Sequence, residues 1–181
     1  MLHWGVFSGK EARPIHLAFS FLLAFMAYPA TKNSPRNYIP LADWGLAALG
    51  IISSLYLFVF DSALIESVLG SRLSDRPGNP NMLDIVVACI GMVVLLEATR
   101  RALGPPLMVV AIVFLGYTFL GPYAPGILAW KGDSFSAVAD HQWLSSEGVF
   151  GIALGVSTGL VFLYVLFGAL LDKAGAGNYF I

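Results

Sequence analysis

The sequence predicts an all-α, polytopic integral membrane protein with four to five transmembrane helices and one or two interfacial amphipathic helices. Two observations carry this. Charged residues make up 12% of the 181-residue chain and hydrophobic residues 57%, against about 25% charged in a soluble domain. So few charges cannot cover a soluble surface, and a mean hydropathy of +0.77 agrees. The apolar residues also gather into five runs near the roughly 20 residues that a helix needs to cross a bilayer core. The net charge is −1 and there is no basic tail or basic repeat, so nothing points to nucleic acid.

The first run, about 14–30, lies between Pro14 and Pro29 and contains His16. The charges at Lys10, Glu11 and Arg13 come late, and no small-x-small site follows, so the segment reads as retained rather than as a cleaved signal. A polar turn with two prolines, "TKNSPRNYIP", leads to the second run, about 41–60. The longer connection 61–82 places Leu64, Ile65, Val68 and Leu69 on one face, as an interfacial helix would, and then turns at "SDRPGNPN". The third run, about 83–103, ends in charges, and the fourth covers about 106–122. Residues 131–147 repeat the interfacial pattern: Phe135, Val138 and Ala139 share a face, and Trp143 falls where an interface anchor would sit. The fifth run, about 148–171, holds no charge.

Chemistry-bearing residues are few. Glu97, Arg100 and Arg101 are spaced i, i+3 and i+4, so one carboxylate can reach both guanidinium groups along one helical face. The arginines suit the negative end of the helix dipole. Gly104 can stand just past the helix end, and Pro105 and Pro106 cannot continue it. The cluster reads as a structural helix end, with a role on a substrate path as the other reading. Gly151, Gly155 and Gly159 recur at every fourth position and predict a bare stripe for close helix packing. Ser157 and Thr158 beside it could bond to a neighbouring helix, or help to coordinate Na⁺ where backbone is exposed. Cys89 is the single cysteine, so no disulfide and no cysteine metal pair can form within the chain. His3, His16 and His141 have no second ligand at metal spacing, and Asp140 and Glu147 beside His141 read as solvated loop residues. No paired catalytic groups appear. An enzyme would have to converge on Glu97, His141 and Glu147.

Lys and Arg divide evenly between the two sides of the predicted topology. Arg100 and Arg101, then Lys32 and Arg36, lie closest to helix ends, which favours a cytoplasmic side for the connections after the first and third helices.

Two stretches carry a resemblance. "LLEATRRALGPPLMVVAIVFLGYTFLGPYAPG" and "SSEGVFGIALGVSTGLVFLYVLFGALLDKAGAGNYFI" resemble the fused permease of tripartite ATP-independent periplasmic (TRAP) transporters, most of all the TAXI-type branch. The likeness is nearly continuous from about Leu83 to Ile181, and earlier residues fit it in hydropathy and in "DW" before the second helix. It implies a multi-pass protein of the cell inner membrane, part of a symporter that takes up organic acids with a Na⁺ or H⁺ gradient and without another cofactor. An extracytoplasmic solute-binding protein delivers the substrate. It also implies a division into a small-subunit-like membrane domain at 1–130, a linker helix at 131–147, and the start of the large permease domain at 148–181. The hairpins that hold substrate and ion in that family would follow Ile181, so its binding residues have no counterparts here. The expected partners are the lipid bilayer, the solute-binding protein and the rest of the permease domain, whether the chain is a fragment or the permease is split. The alternative is a stand-alone small polytopic membrane protein acting in assembly or regulation.

Overall fold

The computed structural model describes residues 9–30, 39–60, 78 and 80–175, and every regular element among them is helical. The chain runs through α1 (Gly9–Ala27), α2 (Leu41–Phe60), α3 (Met82–Leu103) and α4 (Pro105–Leu120). Two 3₁₀ turns, Gly121–Tyr123 and Gly126–Leu128, follow. The short α5 (Phe135–Ala139) continues into a π turn at Asp140–Leu144. The last helix, α6 (Ile152–Lys173), carries a π-helical turn at Ser157–Val161. Among the described residues four helices are long and apolar enough to cross a membrane: α2, α3, α4 with its 3₁₀ extension, and α6. Their length and composition are consistent with a multi-pass membrane protein.

Helix α1 departs from the expected 14–30. It starts at Gly9, so Pro14 lies inside it rather than at its boundary. Proline at an interior position removes one backbone donor and crowds the preceding turn. Here Pro14 is fully buried, so packing holds the helix through it. The early start also brings Lys10, Glu11 and Arg13 into the helix, and α1 is not one of the four long apolar ones. The expected interfacial helix carrying Leu64, Ile65, Val68 and Leu69 lies outside the described residues, as does His3.

Small residues bring α1, α2 and α3 together. Ala47, Gly50, Ser53 and Ser54 are the inward positions of α2, and Ala88, Gly91 and Ala98 those of α3. Such seams let backbones approach where an apolar solvent offers no hydrophobic drive. Phe21 of α1 fills the space over Gly50, where a Cβ would stand 2.8 Å from its ring. Phe25 stacks beside it at 6.4 Å.

Residues 131–147 correct an expectation. Trp143 is not an interface anchor. It is wholly buried, its ring lies on Gly91, and its Nε1–H donates to the Ser53 carbonyl at 3.1 Å. Val138, Ala139 and Leu144 are buried with it, and Phe150 meets the indole edge-to-face at 5.3 Å. Val138 and Ala139 of the expected apolar face therefore line the helix bundle, while Phe135 is exposed and stacks on Phe119 at 6.2 Å.

The helix ends follow the local chemistry. Asn81 N–H donates to the Asp84 carboxylate at 2.8 Å at the start of α3. At its end Gly104 adopts φ +90°, a conformation that favours glycine, and its N–H returns to the Arg100 carbonyl at 3.1 Å. Pro105 then opens α4, where a missing N–H costs nothing. The last helix starts at Ile152 rather than near 148. A Cβ on Gly148 would stand 2.4 Å from the His141 carbonyl oxygen, and one on Gly151 2.1 Å from that of Glu147, so this segment forms a tight turn.

Candidate functional site

Two charged sites stand out, at opposite ends of the bundle. The first gathers where α1 and α3 end and α2 begins. The Glu97 carboxylate accepts from Arg100 Nε at 2.8 Å and Nη2 at 2.6 Å, and from Arg101 Nε at 2.7 Å. The spacing of these residues on α3 gives this geometry directly. Arg101 then reaches across to α2, donating through Nη1 to Asp43 at 2.7 Å. The side chains of Arg101 and Asp43 are 3% and 4% exposed, so this is a buried ion pair between helices. The guanidinium also lies 5.0 Å from the centre of the Phe25 ring on α1. Arg100 Nη2 donates to the Ala30 carbonyl at 3.2 Å. Three helices are thus joined through one pair of arginines. Once buried, such a pair needs every member, because removing one leaves the other charge without a partner.

The second site lies at the start of α1 and α6. Arg13 Nη1 donates to the Phe150 carbonyl at 2.9 Å. Its Nε is fully buried and meets no acceptor. The guanidinium lies against Gly155, where a Cβ would stand 2.8 Å from Nη2. Further along both helices, His16 Nε2 and Ser157 Oγ are 3.3 Å apart, and the imidazole meets Phe162 edge-to-face at 5.8 Å. Ser157 opens the π-helical turn of α6. Such turns are uncommon and often mark functional positions.

The glycines and hydroxyls singled out in the sequence separate. Gly151 precedes α6 and is buried in the turn before it; Gly155 faces Arg13; Gly159 faces open space. Ser157 bonds across to α1, while Thr158 donates back to the Leu154 carbonyl at 2.7 Å on its own helix. The Thr158 hydroxyl proton is therefore committed. His141 Nδ1 lies 3.7 Å from Glu147 Oε2, and both side chains are largely exposed. Among the described residues no three His, Cys, Asp or Glu gather at metal-binding distance.

Sequence reasoning missed Asp43, Arg13 and Tyr56. Tyr56 on α2 donates to the buried Asp84 of α3, a further link between these helices. A carboxylate in the first turn of an apolar helix was the available signal for Asp43. An arginine i, i+3 from a histidine was the signal for Arg13. An apolar cavity of about 350 Å³ opens between α3 and α4, with Met92, Leu95, Phe114 and Leu115 in its wall and Thr118 and Gln142 at its polar part. Comparison of the chain with family models, curated proteins and solved structures finds no match.

Proposed function

We propose that this chain is a scaffolding component of a secondary active transporter of the TRAP type, in the cell inner membrane. The complete system would take up organic acids delivered by an extracytoplasmic binding protein, driven by a Na⁺ or H⁺ gradient. The residue-level resemblance over about 83–181 supports the family. One structural observation supports the scaffolding role. Helices α1, α2 and α3 are tied by a buried ion network, whereas α4 and α6 leave almost all of their apolar surface unburied. A tied bundle that leaves the apolar surfaces of α4 and α6 unburied suits a part that holds a second, moving body. In this reading Gly159 and the apolar surface of α6 would pack on the remainder of the permease domain, fused or supplied as a second chain.

The test is purification from the native membrane through an N-terminal tag, followed by intact mass, identification of co-purifying proteins and uptake in liposomes. A large hydrophobic permease portion and a periplasmic binding protein, with uptake of a carboxylate on a Na⁺ or H⁺ gradient, is the expected result. A 19.4 kDa chain isolated without a large partner would sink it. That outcome would favour the stand-alone assembly or regulatory protein, with α6 covered by a second copy.

A further inference from the structure

We infer that Arg13, with His16 and Ser157, forms a binding site for the phosphate group of an anionic membrane phospholipid, in the seam between the starts of α1 and α6. Arg13 is half-buried, and among the described residues its one polar partner is the neutral Phe150 carbonyl, with no carboxylate in ion-pair range. Its Nε is sealed from solvent without an acceptor. A guanidinium so placed is costly in apolar surroundings unless an anion compensates it. The guanidinium lies flat against Gly155, where a Cβ would crowd Nη2, Nε and Cζ at 2.8, 2.9 and 3.0 Å, so the glycine lets the charge sit in the seam between the two helices. The His16 ring and the Ser157 hydroxyl add neutral hydrogen-bonding groups further along the same seam, 3.3 Å from each other. Phosphate suits this set because the planar fork of arginine meets two of its oxygens at once.

The surrounding surface selects a lipid over a free ion. Phe19 and Leu23 on α1 are exposed large apolar side chains that continue from the seam along that helix. They offer acyl chains a path below a headgroup held at Arg13. Arg13 lies near the start of both helices, the level at which headgroups sit. The inference does not depend on the transporter reading.

The experiment is native mass spectrometry of the full chain in detergent, titrated with phosphatidylglycerol or with phosphatidylcholine of the same acyl chains, for the wild type, Arg13→Gln and Arg13→Lys. The wild type is expected to retain phosphatidylglycerol in preference to phosphatidylcholine. Arg13→Gln should need roughly tenfold more phosphatidylglycerol for equal occupancy, the size of one lost charged hydrogen-bonding partner. Arg13→Lys should recover part of the loss. Equal retention by the wild type and Arg13→Gln would overturn the site. If Arg13→Gln does not fold, the wild type decides alone, since no preference for phosphatidylglycerol overturns it equally. Displacement of the lipid by millimolar inorganic phosphate would overturn the lipid assignment and leave a site for a free anion.

Discussion

Arg101 and Arg13 occupy comparable places, each near the end of a helix at one end of the same bundle, and their surroundings differ in kind. Arg101 is buried between two carboxylates and an aromatic face. Arg13 has a carbonyl, a glycine and a buried Nε that donates to no acceptor among the described residues. The same side chain therefore does two jobs. Where the protein supplies the counter-charge, the arginine fixes helices to one another. Where it does not, the surroundings must supply an anion, and the arginine becomes a recognition element.

The comparison can be broken from either side. The largest effect should come from Arg101→Ala, which leaves Asp43 buried without its partner. A loss of about 3–5 kcal/mol is expected, read as failure to accumulate or a sharply lowered Tm in detergent. Near-normal Tm would show that the network is not what joins α2 to α3. Next is Gly91→Leu, which places a side chain in the volume of the Trp143 ring. Overpacking of this kind costs about 1–3 kcal/mol, and tryptophan emission should shift to the red as the indole is displaced; unchanged emission would contradict the buried position. Arg101→Lys keeps the charge but cannot reach Glu97 and Asp43 with a rigid fork. It should fall between Arg101→Ala and wild type, and a double-mutant cycle with Asp43→Asn should return a coupling of about 0.5–3 kcal/mol. The smallest effect belongs to Arg13→Leu in neutral detergent, where no structural partner is lost beyond one carbonyl. A change under about 1 kcal/mol is expected, and a loss as large as that of Arg101→Ala would place Arg13 among the structural arginines.

Much of the helix layout was legible because hydropathy and turn chemistry act locally. The span Leu41–Phe60 falls at the expected bounds, and the end of α3 at Gly104 follows from its glycine and two prolines. The contact of Glu97 with both arginines also follows from helical spacing alone. Asp43 was not legible as their partner, because 58 residues separate it from Arg101 and no local pattern links them. Trp143 was misplaced for a different reason. An amphipathic segment shows an apolar face whether that face meets a lipid interface or other helices, and the sequence holds no feature that separates these cases. The bounds of α1 were drawn at Pro14 because proline usually stops a helix. Tertiary packing around that residue prevails here.

The separation of Asp43 from Arg101 has a consequence for how the protein is made. At roughly 5–20 residues per second of synthesis, Asp43 leaves the ribosome several seconds before its counter-ion exists. Asp43 stands in the first turn of α2, at the end of the helix where charge is least costly. Arrival of Arg101 then closes α2 and α3 together, with Phe25 of the earlier α1 lying over the guanidinium. The buried ion pair can therefore form only once the end of α3 has been made, and a chain that mis-threads α3 would leave Asp43 without its partner.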